Sequence, residues 1–196
     1  SMKQHAITAL IAGFLNENPD MTLQTIEGDS TFVKELLTDG KCDIAFLRSE
    51  SSSVKEFNSI PYMIDYLTAV LPATHPLAKA DNLPFEQLRG ETFLLFPEHS
   101  FINDLCIREC RNAGFEPHIA YTGNRGATLI DLVRNGAGIT LMMHHSARQE
   151  NDSSLAFIPV TPGIYSYISL NYAKEKPLSP QAESFVRYVK AHKRDF

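Results

Sequence analysis

One α-to-β transition in the second half of the sequence constrains the fold more than any other feature. The stretch Leu129–Met143 begins with apolar residues at helical spacing and ends in the run Ile139–Met143, which is apolar except for one threonine. Gly136 can supply the left-handed backbone that ends a helix. Gly138 predicts a close approach of two backbones, because a Cβ atom there would hold helix and strand apart. The pattern predicts an α/β architecture and carries no functional information by itself.

Similar alternation of helical and extended patterns runs through the rest of the chain. Apolar periodicity and turn residues predict helices at His5–Asn18, Phe32–Leu37, Leu83–Leu88, Phe101–Asn112 and Gln181–His192, and strands at Met21–Ile26, Asp43–Leu47, Tyr62–Leu71, Phe93–Phe96, Pro117–Tyr121, Leu155–Val160 and Ile164–Tyr172. Ser30 or Thr31 is placed to cap the second of these helices. This order of elements predicts an α/β fold with mainly parallel sheets.

Composition limits the class of protein. With 196 residues, 43% of them hydrophobic and 21% charged, the chain can bury one good core or two small ones. It contains no apolar run long enough to span a bilayer and no charged-then-apolar leader, so we expect a soluble, unsecreted protein. The odd set Cys42, Cys106 and Cys110 lacks the spacing of a disulfide framework and favours reduced thiols in the cytoplasm.

The charge balance argues against direct contact with nucleic acid. The net charge is −5, and only the tail from Lys190 to Arg194 is locally basic. Phosphate backbones are bound by clustered Lys and Arg side chains. We therefore expect this chain not to grip DNA itself.

Several short motifs together resemble one known family. These motifs are Asn18-Pro-Asp-Met21, Glu27-Gly-Asp-Ser30, the stretch from Leu36 to Phe46, His75-Pro-Leu-Ala78 and the stretch from Leu132 to Leu141. Their order and spacing resemble the C-terminal effector-binding domain of LysR-type transcriptional regulators, over almost the whole chain. The resemblance implies a fold like that of the type 2 periplasmic binding proteins, in which two Rossmann-like α/β lobes are joined by two crossing strands and a small effector binds in the cleft between them.

The resemblance also implies a domain layout. Lobe one would combine residues 1–66 with residues 169–196, and lobe two would comprise residues 67–168, with Tyr66–Val70 and Tyr167–Leu170 as the crossings. The winged helix-turn-helix of such a regulator would precede this sequence and is not part of it. Met142-Met143-His144 departs from the family pattern, which often has a Leu-Pro pair there.

Effector-binding positions are likewise implied by the resemblance. Three helices would begin at the cleft, after Ser30-Thr31, after Ser100 and after Thr122-Gly-Asn124. Helix N-termini carry unpaired N–H groups and a partial positive charge, which favour a carboxylate or another anion. The residues expected to contact the effector are Ser1, Ser30, Thr31, Arg48, Ser100, Thr122, Asn124 and Met142.

Other chemistries have weaker support in the sequence. His144 and His145 are adjacent and Cys106 lies four residues before Cys110, but no second Cys or His pair has zinc-like spacing, so we expect neither a metal nor another cofactor. Bridging the two helical cysteines would require local unwinding, which disfavours a redox role. The chain lacks a nucleophile elbow, a phosphate-binding loop with lysine and a His-Glu-x-x-His motif, so we expect no enzymatic activity.

The combined interpretation is the effector-sensing domain of a LysR-type regulator. The resemblance implies a small, anionic effector, a homodimer or tetramer in which the first helix pairs with the helix Leu129–Asn135 of a second subunit, and DNA contact only through the missing N-terminal domain. The alternative is a free-standing solute-binding protein of the same fold, which would require a secretion signal.

Overall fold

The computed structural model describes residues 6–147 and 152–193, which form an α/β protein. The elements in chain order are α1 (Ile7–Glu17), α2 (Ser30–Thr38), β1 (Ala45–Ser49), β2 (Phe57–Pro72), β3 (Leu83–Pro84), β4 (Thr92–Leu95), α3 (Phe101–Asn112), β5 (His118–Thr122), α4 (Gly126–Arg134), β6 (Thr140–Met143), α5 (His144–Ala147), β7 (Leu155–Thr161), β8 (Tyr165–Ala173) and α6 (Pro180–His192). Two short 3-10 helices, Pro76–Lys79 and Phe85–Leu88, flank β3.

The chain divides into two compact units. Unit 1 combines Ser1–Ile64 with Ser166–Phe196, and unit 2 is Asp65–Tyr165. The division falls inside the long strand β2 and after the first residue of β8. Each unit has its own buried apolar cluster, so each supplies its own packing energy.

Unit 1 packs helices α1 and α6 against strands. Strand β1 pairs antiparallel with β8, and β8 lies beside β2. The Phe14 ring of α1 meets the Phe185 ring of α6 edge-on, with centroids 5.0 Å apart. Both helices bury one apolar face at helical spacing, as with Ile7, Leu10 and Phe14 in α1, while the opposite face stays polar or small.

Unit 2 contains the α-to-β transition that dominates the sequence. Gly136 has a φ of 77°, and a Cβ atom on Gly138 would stand 2.4 Å from the Thr92 carbonyl oxygen. The predicted close approach is confirmed, and the backbone that comes close belongs to β4. The Ile139 N–H donates to the Thr92 carbonyl over 2.9 Å, so the missing side chain lets β6 start directly beside β4.

The prediction of mainly parallel sheets was wrong. Strand β4 pairs parallel with β5, and β3 pairs parallel with β7. However, β1 pairs antiparallel with β8, and β2 pairs antiparallel with both β6 and β7. Strands β2 and β8 continue from one unit into the other. The alternation of helices and strands in the sequence does not indicate in which direction such strands pair.

Two local predictions also need correction. Met21–Ile26 forms no strand: Met21 and Leu23 touch the unit 1 core, but Ile26 is 51% exposed. An alternating pattern shows which face is buried and does not show that a neighbouring strand is available for hydrogen bonding. Leu83–Leu88 was predicted as a helix and is instead the strand β3 followed by a single 3-10 turn.

Among the described helices, none is long and apolar enough to cross a membrane.

Candidate functional site

The start of α2 brings together two of the residues expected to bind the effector. Asp29 is the N-cap, and its carboxylate accepts a hydrogen bond from the Thr31 N–H over 2.8 Å. The prediction that Ser30 or Thr31 caps this helix was therefore wrong, because the helix begins at Ser30 and the Asp29 carboxylate before it accepts from the N–H of the second helical residue. The Ser30 hydroxyl instead accepts from the Arg48 backbone N–H over 3.1 Å. Thr31 lies beside Ser30 and is exposed.

Arg48 lies near the carboxyl end of strand β1, next to the start of α2. Its guanidinium group donates to the Ser166 hydroxyl over 2.5 Å, and Ser166 is fully buried. In the ladder, Arg48 lies opposite Ile168, so Ser166 is its diagonal neighbour on β8. The partly buried Arg48 is thus held at its backbone by one serine and at its charged end by another.

Ser166 is a residue that the sequence analysis missed. It stands in a strand pattern with Ile168 and Leu170 on the same buried side. A polar residue at a buried strand position needs a hydrogen-bond partner. The position of Ser166 in an otherwise apolar strand face could therefore have indicated a polar contact. The partner is 118 positions away in the sequence and could not be identified from spacing.

In unit 2, Ser100 and the Thr122–Asn124 turn lie at the same edge. Strands β4 and β5 are parallel, so both carboxyl ends point to this edge, and α3 and α4 begin there. The Gly123 N–H donates to the Leu95 carbonyl over 3.0 Å. The Phe96 ring lies over Gly126, within 3.7 Å of where a Cβ atom would stand. In open α/β sheets, ligands bind at this kind of edge.

The helix starts at this edge differ in how they are capped. The Ser100 hydroxyl accepts from the Asn103 N–H over 3.3 Å and donates to the Pro97 carbonyl over 2.7 Å. The N-cap of α4 is Arg125, whose side chain makes no capping hydrogen bond. His99, just before Ser100, has a left-handed backbone with a φ of 65°, an uncommon conformation for a residue with a side chain. Among the residues that the structure describes, the α4 start therefore offers N–H groups without a side-chain acceptor.

The last two expected contact residues are not placed with the others. Met142 is only 1% exposed and packs in an apolar cluster with Val70, Leu94 and Leu129. Ser1 lies outside the described residues.

A second polar constellation in unit 2 was not anticipated. Asp65 is fully buried, and its carboxylate accepts from the His145 backbone N–H over 3.2 Å and lies 2.9 Å from the His145 ring Nδ1. The neighbouring His144 ring stacks on Tyr66 with centroids 4.4 Å apart. These two contacts attach α5 to β2. In the described part of the chain, no three His, Cys, Asp or Glu residues cluster in a way that would hold a metal ion.

Comparison with known proteins assigns the family. The model of the LysR substrate binding domain matches residues 1–194. The transcriptional dual regulator GltC of Bacillus subtilis is 25% identical over 190 residues, which cover 96% of this chain and 63% of GltC. The chain thus spans less than two thirds of the length of this curated relative. GltC and YwbI of Bacillus subtilis are both named as transcriptional regulators, which does not favour a free-standing solute-binding protein.

Solved structures show the same fold. The effector binding domain of QuiR in complex with shikimate superimposes with a TM-score of 0.80 at 20% identity, covering 99% of this chain and 95% of that one. The BenM effector binding domain with its effector benzoate also gives a TM-score of 0.80 at 20% identity, with coverage of 97% and 87%. The expected fold, similar to the type 2 periplasmic binding proteins, is confirmed, and the chain belongs to the family of LysR-type effector-binding domains.

Proposed function

We propose that this domain is a non-enzymatic sensor for a small organic anion and that Arg48 is its principal anion-binding group. The observation that carries the proposal is the arrangement of Arg48, Ser30 and Ser166 beside the start of α2. In the whole regulator, ligand binding would control transcription through a DNA-binding domain, in the cytoplasm and within a homodimer or tetramer.

Electrostatics support an anionic ligand at this place. An arginine guanidinium is charged at every physiological pH, and its planar fork matches a carboxylate. The N-terminal end of α2 adds a partial positive charge, worth typically about 0.3–1 kcal/mol for a nearby anion. Partial burial of Arg48 reduces screening by water and strengthens both effects. The ligands named for QuiR and BenM, shikimate and benzoate, are both carboxylates.

Within unit 2, a separate group of residues is also proposed to bind oxygen atoms of a ligand. Ser100, Thr122 and Asn124 lie at the edge where β4 and β5 end, and the α4 start has N–H groups without a side-chain acceptor. An oxygen-bearing group of a ligand would accept hydrogen bonds there. Met142 is proposed to act through packing of the strand β6 rather than by direct contact, because its side chain is buried.

A thermal-shift experiment tests the proposal. A ligand that binds only the folded protein at about a hundredfold excess over its Kd stabilises the fold by about 2.7 kcal/mol. We expect a raised Tm with at least one member of a library of small carboxylates that includes shikimate and benzoate. Arg48→Gln should abolish the ligand-induced shift, and Ser166→Ala should reduce it, because the guanidinium group loses its fixed position.

Ser179→Ala is the matched control. Ser179 caps α6 by accepting from the Ala182 N–H over 3.2 Å, so its loss should cost about 1 kcal/mol of stability and leave the ligand-induced shift intact. Retention of the full shift in Arg48→Gln would show that Arg48 does not bind the ligand. A library in which only amines or neutral compounds stabilise the protein would contradict an anionic effector.

A further inference from the structure

Unit 1 contains a groove that the proposed function does not use. It has a volume of about 520 Å³ and lies between α6 and the segment that connects β8 to α6. This volume lies in the range of small-molecule sites in proteins, about 300–1,000 Å³. The apolar part of its lining comes from Tyr172, Pro177, Leu178 and Val186.

Positive charge dominates the polar part of the lining. The lining includes four residues with cationic side chains, Lys174, Lys176, Arg187 and Lys190, and two with acidic ones, Glu175 and Glu183; the Lys174 ammonium donates to the Lys55 carbonyl over 2.5 Å. On α6, Arg187 and Lys190 are three residues apart and therefore lie on one helix face. Within the described ranges, neither forms an ion pair or a side-chain hydrogen bond, whereas exposed cations elsewhere do, such as Lys34 with Glu56 at 2.7 Å. Lys190, the first residue of the locally basic tail, thus lines the groove.

The groove is distinct from the Arg48 site. Arg48 and Ser49 lie opposite the first half of β8, with Ser49 paired to Tyr167, while the groove begins at Tyr172, near the other end of the strand. Ser166 and Tyr172 are six positions apart, which corresponds to roughly 20 Å along an extended strand. A ligand of ordinary size at one place does not reach the other.

We propose that this groove is a second ligand site, specific for a small organic phosphate. A phosphomonoester carries close to two negative charges at neutral pH and three acceptor oxygens, so it suits a groove with an excess of cationic residues better than a carboxylate with a single charge does. The Arg187 fork can bind two of these oxygens at once, and Lys190 provides a point charge beside it. The apolar lining then accommodates the organic part of the ligand, next to the Tyr172 ring.

Adenosine monophosphate is the test ligand, with inorganic phosphate as the minimal probe and a short DNA duplex as the competing source of phosphate. Each is titrated into isotope-labelled protein at constant, near-physiological ionic strength, and binding is followed by amide chemical shifts. We expect adenosine monophosphate to shift amides of residues 172–178 and 183–190 and to bind more tightly than inorganic phosphate.

Variants separate a specific site from general charge attraction. The double variant Arg187→Gln with Lys190→Gln should weaken adenosine monophosphate binding about tenfold, equivalent to about 1.4 kcal/mol. The control, Lys79→Gln with Arg108→Gln, removes the same charge from exposed positions of unit 2 and should leave the affinity unchanged. Arg48→Gln should also leave it unchanged, because that residue belongs to the other site.

Three outcomes would overturn the proposal. Equal weakening in both double variants would show nonspecific attraction. Shifts confined to residues around Ser30 and Arg48 would place the ligand in the effector site. Binding of the duplex without binding of the mononucleotide would identify the groove as a contact for a nucleic acid backbone rather than a small-molecule site.

Discussion

Burial determines the chemistry of two of the three cysteines. Cys106 and Cys110 are fully buried on α3, within the main apolar cluster of unit 2. Burial raises the pKa of the Cys106 thiol and raises that of Cys110 to about 12, with smaller contributions from nearby thiol and carboxylate groups. A raised pKa keeps both thiols protonated, and the thiolate is the form that reacts with oxidants and disulfides.

This setting predicts which thiols react. In the native protein, an aromatic disulfide reagent should modify at most Cys42, which is partly exposed, and should do so slowly because burial also raises the pKa of that thiol. All three thiols should react after unfolding in urea. A Cys42→Ser variant should therefore be inert in its native state. Rapid reaction of two thiols in that variant would show that α3 opens readily and would restore a redox role.

Arg48 and Ser166 show what sequence can reveal about a single residue. The positions of Ser30 and Arg48 follow from the family resemblance, and the structure brings them within hydrogen-bonding distance. The role of Asp29 as the cap was missed because three successive residues, Asp29, Ser30 and Thr31, are all good caps. Ser166 was missed because its partner is determined by strand register, which local patterns do not specify.

At the scale of elements, α5 is held to β2 by a buried acidic residue, Asp65. The Asp65 carboxylate is fully buried and accepts hydrogen bonds from the backbone N–H groups of Tyr66 and His145, while its Oδ1 lies 2.9 Å from the His145 ring nitrogen. Leaving a buried acceptor short of one partner costs about 1–3 kcal/mol, and more if the acceptor is charged. This contact should therefore be a major determinant of how firmly α5 is attached.

His145→Ala should lower the free energy of unfolding by about 1–3 kcal/mol, measured by urea denaturation. His118→Ala is the matched control, because His118 is an exposed residue on β5 and its loss should change stability by less than about 0.5 kcal/mol. Asp65→Asn tests the other partner and should also destabilise. Equal stability of the His145 and His118 variants would mean that water replaces the imidazole and that the contact contributes little.

Element boundaries were predictable where strong local signals exist. The α3 helix occupies Phe101–Asn112 as predicted, since Ser100 caps its start and Gly114, with a φ of 79°, follows its end. The helix α4 starts earlier than its apolar periodicity indicated, because Gly126 and Ala127 carry no periodic signal. A strand such as the predicted Met21–Ile26 depends on a partner elsewhere in the chain, and its existence is not a local property.

For the whole molecule, the fold was predictable through the family resemblance and only partly through physical patterns. The alternation of helices and strands predicted an α/β protein, but it favoured parallel sheets. The pairing of Ala45 with Asn171 joins residues that are far apart in the sequence, and such pairs require the strand to return from the other unit. Only the family resemblance, which rests on the order and spacing of the five motifs, implied that topology.

Self-association is a property of the whole molecule and depends on its exposed apolar surface. On α1, Ile7, Leu10 and Phe14 are buried, and the exposed positions include Thr8, Ala9 and Ala12. The larger exposed apolar side chains of unit 2 include Ile119 and Tyr121, 37% and 38% exposed. They lie on β5, whose five residues are all exposed and which pairs with β4.

An exposed strand with apolar side chains is a template for association with another molecule. We therefore expect the chain to form dimers or larger species at roughly tens of micromolar, and we expect these to depend on β5. Ile119→Lys together with Tyr121→Lys should shift the sedimentation coefficient towards the monomer. Ile26→Lys together with Phe32→Lys is the control, because these side chains are at least as exposed but lie outside any strand. A monomeric wild-type protein, or equal dissociation in both variants, would show that β5 is not an association surface.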